Sequence, residues 1–487
     1  MTANISSQKF NWKEFIKQIS VIAIPVALQN LLSTTGGMID TMMIASLGEL
    51  YVGAVGLCAQ FSFLMFASYW GFVGGGMLFF AQYWGAKDHK GIDRSYGITI
   101  TCMLTVAFIF MCAAVFFPET VLTMYTDKLN IREIGVEYIR IVGFSYPLQV
   151  LAIGMSSLLR STEKVKIPLY GAIASVCTNT FMNWVLIFGH LGAPALGVKG
   201  AAIATVISAA VNVLLIVIFA AASKYPYLFH FKNYFKWNKA FLAIYFKKCF
   251  PVICNEVLIG IGNMVINIVL GHQVEEAIAA VAVFRTIEGL VIGFFAGFSN
   301  AASVLVGKAV GAGDTEIAYR RAKRIVYFCQ ATILVVVLIL FAVTYPLLHA
   351  MSLSGLSYYY GRGLIIIYGI FCIIRMGNWT QNDTYRSAGD AIYGTLLEIV
   401  FMFTMVLPCL LLANNVFHAP FLLVFAMCYV DEPIRYVLMQ IHMYSGKWIK
   451  PVTPEGVAGL EEFKKRRAER LGRADRKLTE QKQATQR

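Results

Sequence analysis

The chain has 487 residues, of which 58% are apolar and 14% charged. Soluble domains carry about 25% charged residues, so there is too little polar side chain here to cover a water-soluble globule, and the composition points to a multi-span membrane protein. Aromatics at 14%, with 40 Gly and 13 Pro that follow no period, exclude fibrous and disordered chains, and the net charge of +14 must be read by position.

Residues 1–18 are polar and hold Lys9, Lys13 and Lys17, and the apolar run behind them is too long for the core of a cleavable signal peptide. They are expected to form a cytoplasmic N-terminus. A helix needs about 20 apolar residues to cross a bilayer. Six such stretches follow, at 19–45, 52–83, 96–117, 134–158, 167–189 and 201–222, and make a first lobe of residues 19–222. Residues 223–248 form a linker with six Lys and no acid, interleaved with aromatics from Tyr225 to Trp237. An amphipathic segment lying on the inner leaflet accounts for that mix. Six further stretches, at 249–270, 277–307, 325–351, 363–384, 391–412 and 420–443, make a second lobe of residues 249–443. The tail, 444–487, is charged and helix-prone, with Leu460, Phe463, Leu471 and Leu478 as sparse apolar points. It reads as a helix that is solvated or faces anionic lipid. Nucleic acid is not expected as a partner, because no basic-plus-aromatic stacking pattern accompanies the charge.

The connecting segments test this layout. The alternate loops on the presumed inner side, with both termini, hold 33 Lys and Arg, against four (Lys128, Arg132, Lys199, Arg362) on the other side. That split predicts an even number of spans with both ends cytoplasmic. The ten cysteines lie almost entirely in apolar runs with no C-x-x-C, so they read as small core residues. No Walker loop or His cluster is present, and the chain does not read as an enzyme.

A repeat runs through the chain at an offset of 226 residues. Pro25-Val26 matches Pro251-Val252, Gly36 matches Gly262, and Gly71-Phe72 matches Gly297-Phe298. The loop Gly85-Ala86-Lys87-Asp88 matches Gly311-Ala312-Gly313-Asp314, and Arg160-Ser161 matches Arg386-Ser387. The offset covers six spans, an even number, so both halves share one orientation. This is the parallel arrangement in which a substrate binds between the halves.

Ionisable and polar residues within spans are the candidate machinery, since they are expensive to bury in a membrane. Asp40, late in the first span, either binds a cation or proton or is an interfacial carboxylate. Asn179 and Asn183 share one helix face; their amide oxygens suit a hard cation such as sodium or helix–helix hydrogen bonds, and Thr205 adds a hydroxyl. Glu256 lies five residues past Pro251, where a kink opens space; it is a proton carrier or organic-cation partner, or an interfacial acid. Asn263 and Asn267 continue its face. Arg285 and Glu288 sit at i, i+3 and read as a structural pair. The tenth span is unusually polar, with Arg375, Asn378, Gln381, Asn382 and Asp383, and reads as lining an aqueous cavity. Asp431 and Glu432 read as local partners of Arg435. Glu398 reads as the partner of a basic group on a neighbouring helix that sequence cannot name.

The stretch Pro25 to Asp88 reads P-V-x-L-Q…M-I-D-T…G-x-L-F-F-A-Q-Y-W-G-A-K-D. With Asn179-x3-Asn183-x-Val-Leu-Ile-Phe-Gly, Arg386-Ser-Ala-Gly-Asp390 and Lys447-Trp-Ile-Lys, it resembles the multidrug and toxic compound extrusion (MATE) family of the MOP flippase superfamily, over residues of roughly 15 to 452. The resemblance implies an all-α membrane protein with twelve transmembrane helices in two six-helix lobes, rocking between inward-open and outward-open states. It implies export of amphipathic, often cationic compounds from a plasma membrane in exchange for Na+ or H+, by a chain that needs no cofactor and is a monomer. Asp40, Asn179, Asn183 and Thr205 match the family's N-lobe cation site, where sodium at Asp40 is the one metal expected. Some members carry a second acid where this chain has Asn183, a departure that favours cation ligation over a two-carboxylate proton relay. Glu256, Asn263, Asn378 and Asp383 are the expected substrate or proton site. The alternative within this architecture is a flippase for a lipid-linked or polysaccharide substrate, whose cavity would carry several cations.

Overall fold

The computed structural model describes residues 11–485 except Ser352, with side chains described as far as residue 469 except at Ala350. Leu471 and Leu478 of the tail therefore lie outside the described side chains. The described elements are all helical. The first lobe holds α1 (Trp12–Ala45), α2 (Glu49–Ala86), α3 (His89–Phe116), α4 (Leu129–Val142 and Ser145–Ser161, bent by 50°), α5 (Lys166–Phe188) and α6 (Val198–Ala222). The second holds α7 (Lys239–Gly271), α8 (Glu275–Gly311), α9 (Thr315–Ala350), α10 (Gly355–Ser387), α11 (Tyr393–Val416) and α12 (Phe421–Ala426 and Glu432–Ser445). Ten of these are long and apolar enough to span alone, and the bent pair of α4 makes an eleventh. The twelfth, α12, is interrupted where Asp431, Glu432 and Pro433 follow one another, because Pro removes a backbone donor. In α11 the turns at Met402–Val406 and Leu412–Val416 are π-helical and flank Pro408.

Local sequence sets the helix starts. Asn11, Asp88 and Asn238 each accept a hydrogen bond from the backbone N–H three residues on, at 3.2, 2.9 and 2.8 Å, satisfying a donor that the first turn leaves free. Because α7 starts at Lys239, it takes in the last ten residues of the segment read as linker.

The repeat is visible as symmetric contacts between the lobes. A methyl placed on Gly71 of α2 would lie 2.6 Å from the Ile253 Cα of α7, and one on the equivalent Gly297 of α8 would lie 2.3 Å from the Ala23 carbonyl of α1. At the helix ends, Gly85 faces the Lys308 carbonyl and Gly311 the Gln82 carbonyl, pairs related by the same 226-residue offset. Only a residue without Cβ admits such approach. The one mismatch in the repeated loop also has a backbone reason: Lys87 and Gly313 both take positive φ, of 57° and 83°.

These contacts all lie toward the end of the molecule at which α1 begins and α12 finishes, the terminal end. There Lys308 pairs with Glu163 at 2.6 Å, Gln82 donates to the Ser387 carbonyl at 2.8 Å, and Arg321 donates to Gln18 at 3.1 Å. Among the described residues, the last bond across α1 and α8 toward the other end is Asn30 Nδ2 to the Gly293 carbonyl, at 3.2 Å. Beyond it, a methyl added at Gly37, Gly260 or Gly289 would meet nothing within 4 Å, and Met42, Ile261 and Met264 are exposed. The lobes are sealed at the terminal end and parted at the other.

Two expectations are corrected here. The linker does not lie wholly on a surface: Tyr225, Tyr227, Leu228 and Tyr234 are buried in the N-lobe core, with Asp93 of α3 holding His230 at 3.0 Å and Asn233 at 2.9 Å, while Phe229, Phe231 and Phe235 stay exposed. Its tyrosines have an apolar body and a hydroxyl that finds partners, as Tyr225 does with Thr162 at 2.7 Å. The first half of the tail helix (Pro454–Thr485) is likewise docked rather than free. Phe463 is buried against Tyr319, Gly459 meets Gly313, and Arg467 donates to the carbonyls of Ser445 and Tyr444, which are left over at the end of α12.

Candidate functional site

In the N-lobe, α1 and α5 bring together three of the four residues expected to hold a cation. Asn183 Nδ2 donates to Asp40 Oδ1 at 2.6 Å and to Asn179 Oδ1 at 3.3 Å. The i, i+4 spacing of the two asparagines places both amides on the face of α5 turned to α1. Asn183 is fully buried and its Oδ1 has no partner, whereas Asp40 is half-buried. Thr205, on α6, bonds back to the Ala201 carbonyl at 3.0 Å and faces the hydroxyl of Tyr138, which also lies within electrostatic reach of Asp40. Tyr138, from the first segment of α4, was not singled out from sequence; one tyrosine among 24 carries no distinguishing signal. The cluster offers one carboxylate, an unpartnered amide oxygen and hydroxyls, a set of oxygen donors suited to a hard monovalent cation or a proton.

The C-lobe is organised differently. Glu288 of α8 is buried and receives Arg285 at 2.6 Å and Arg375 of α10 at 2.9 Å. Glu432 of α12 receives Arg435 at 2.8 Å and the Asn378 amide at 2.7 Å, and Asp431 faces Arg435 at 3.5 Å. The pairs read from sequence, Arg285 with Glu288 and Arg435 with Asp431 and Glu432, are thus present and joined through Arg375. Nearby, Arg386 faces Glu256 at 3.5 Å, and Ser299 donates to Asp383 at 2.5 Å. Glu398, expected to meet a basic group of a neighbouring helix, instead accepts from the amides of Asn255 and Asn382, both at 3.2 Å.

Between the lobes lies a cavity of about 360 Å³, within the usual size of a small-molecule site. Glu256, Asp383 and Asn378 line it, together with Arg160, Arg386 and Glu398. Asn263 is not among its lining. It lines a smaller cavity of about 110 Å³ with Arg285, Glu288 and Glu398. The four residues expected to form one C-lobe site therefore separate, because Asn263 sits two helical turns further along α7 than Glu256 and faces the ion network. Arg160 is a second residue that sequence reasoning passed over. Its signal is the repeat match to Arg386, although its place between two apolar runs reads as a loop.

Residues 25–185 and 251–411 each match the MatE family, one match in each lobe. The chain is 22% identical over 413 residues to the protein of Bacillus subtilis (strain 168) named "Probable multidrug resistance protein YoeA", covering 82% of this chain and 88% of that one. It is 25% identical over 409 residues to "Probable multidrug resistance protein NorM" of Agrobacterium fabrum, covering 81% and 86%. A crystal structure of a MATE protein in complex with MaL6 superposes with a TM-score of 0.80 at 16% identity, covering 88% of this chain and 97% of that one, a likeness of fold. With one MatE repeat in each six-helix lobe, the chain belongs to the MatE family of multi-span membrane transporters.

Proposed function

We propose that the protein is a secondary active antiporter that exports amphipathic, often cationic compounds in exchange for Na+ or H+ by alternating access. The observation that carries this reading is the pair of lobes sealed at one end and parted at the other, around a polar cavity at their interface. The 33-to-4 bias of Lys and Arg supports a cytoplasmic position for the sealed end and both termini, in a plasma membrane or the inner membrane of a Gram-negative cell. The state described is then outward-open. A cation or proton entering from outside meets Asp40, oriented by Asn183 and Asn179. On the C-lobe wall, Glu256, Asp383 and Glu398 face Arg386, while the wall's other two guanidiniums, Arg375 and Arg435, are already held by Glu288, Asp431 and Glu432 behind it, which leaves carboxylate to draw an organic cation. A ligand shifts a two-state equilibrium only through differential affinity, so coupling requires cation and substrate to favour opposite states. The test is Asp40→Asn in everted vesicles loaded against a sodium or proton gradient. Gradient-driven export is expected to fall at least tenfold, the effect of about 1.4 kcal/mol at one site; unchanged export would falsify the coupling role.

The flippase reading is favoured by one observation, the arginines Arg160, Arg375, Arg386 and Arg435 on the cavity wall. Three of these are already paired with carboxylates. That leaves one cation, fewer than a lipid diphosphate draws. Transport that depends on neither gradient would favour this second reading.

A further inference from the structure

We infer that Arg160 is a subsite for an anionic group of the transported compound, so that the preferred substrates are amphipathic zwitterions whose cationic end meets the C-lobe wall. The inference rests on the export reading above and refines its substrate class.

Arg160 stands at the sealed end of α4 and lines the inter-lobe cavity from the N-lobe side. Its one side-chain partner is neutral: Nη2 donates to the Gln29 amide oxygen at 2.7 Å. Its Nε is buried with no hydrogen-bond partner, and no ion pair among the described residues includes it. The repeat shows what is missing. Arg386, its counterpart in the C-lobe, faces Glu256; the position equivalent to Glu256 in the N-lobe is Asn30, whose amide is used on the Gly293 carbonyl. One lobe has the arginine with a carboxylate, and the other has the arginine with an amide in its place.

A guanidinium taken out of water without a counterion is costly, and an unpaired charge at membrane depth marks a site of function. A carboxylate or sulfonate arriving on the substrate restores the missing partner through the fork of donors that arginine offers. Across the cavity Glu256, Asp383 and Glu398 face Arg386, and the two further arginines of that wall, Arg375 and Arg435, are neutralised by Glu288, Asp431 and Glu432, so the balance there is the reverse. Trp70, Met77, Ile259, Ile292 and Trp379 supply apolar wall between the two ends. The cavity is therefore polarised across the lobe interface, cationic on one side and anionic on the other, and a molecule carrying both charges on an apolar body matches it.

The test uses two probes, a coumarin bearing an alkylammonium and a carboxylate, and its methyl ester, which keeps only the cation. Binding to the purified full chain in lipid nanodiscs is measured by fluorescence anisotropy, and gradient-driven uptake of the same probes by everted vesicles. The wild type is expected to prefer the zwitterion about tenfold, the usual worth of a hydrogen bond to a charged group. In Arg160→Gln the ratio of zwitterion to ester affinity should fall to near one, and in Arg160→Lys most of the preference should remain. Equal affinity of the wild type for both probes, which needs no variant, overturns the inference. So does an Arg160→Gln protein that loses affinity for both by the same factor. Preferential binding without gradient-driven uptake would sink the antiport reading and leave the subsite standing. Uptake of both probes without preference would do the opposite.

Discussion

In the N-lobe, Asp40 accepts from the amide of Asn183, which also donates to Asn179, and the Tyr138 hydroxyl lies within electrostatic reach. In the C-lobe, Glu288, Asp431 and Glu432 are tied to Arg285, Arg375 and Arg435 in one network across α8, α10 and α12. Two lobes with a common repeat thus treat charge in opposite ways. A carboxylate held by neutral donors keeps its net charge and remains free to take a cation. Carboxylates neutralised by arginines have no net charge to offer, and serve to fix three helices relative to one another. The same contrast recurs at the cavity wall, where Arg386 is paired and Arg160 is not.

The largest effect expected from this contrast is in the network. Glu288→Ala removes the carboxylate shared by two arginines and should destabilise the protein by about 3–5 kcal/mol, because it leaves uncompensated buried charge. Thermal melting of the purified protein measures it, and adding Arg375→Met should recover much of the loss. A single-variant loss under about 1 kcal/mol would mean the network does not hold the helices, and the comparison would break. The N-lobe should respond in function rather than stability. Asn183→Ala takes a hydrogen bond from a charged group, worth about 1.5–3 kcal/mol, and should weaken cation-dependent transport tenfold or more. A melting shift as large as that of Glu288→Ala would erase the distinction between the lobes.

A smaller effect is expected where the lobes meet. Lys308→Gln breaks the half-exposed pair with Glu163, worth about 0–1 kcal/mol. It should raise the population open at the terminal end by no more than about fivefold, read from spin-label distances between α2 and α8. An unaltered distance distribution would assign the seal to the glycine-mediated backbone contacts instead. The smallest effect is a pH dependence outside the spans. Burial opposes ionisation of Asp390, but hydrogen bonds from His442 at 3.0 Å and Lys450 at 2.9 Å outweigh it and hold the carboxyl below its ordinary 3.8. A depressed value stabilises the fold above the ordinary one, and that contribution is lost as pH falls through the folded value. Asp390→Asn should therefore lower the melting temperature at neutral pH and converge with the wild type in acid; parallel melting curves at every pH would refute it.

Much of this was legible in the chain. Apolar run length marks the spans, because a bilayer imposes one length on every helix that crosses it. The register of Pro25 with Pro251 and of Gly71 with Gly297 marks the repeat, because close helix approach tolerates only small residues there. Asn179 and Asn183 were legible together because helical periodicity fixes which residues share a face; only the family resemblance joined Asp40 to them.

What the sequence alone determined is the count and pairing of the helices, and the family to which they belong. The first follows from local composition and spacing, the second from the resemblance of the motifs. Tertiary structure alone decided which charge is neutralised and which is not. Glu398 found Asn255 and Asn382 on other helices, Asn263 turned to a different cavity from Glu256, and Arg160 has Asn30 where its counterpart Arg386 has Glu256. Those outcomes depend on distances between residues far apart in the chain, and a charge in a membrane is defined by its partner rather than by its position.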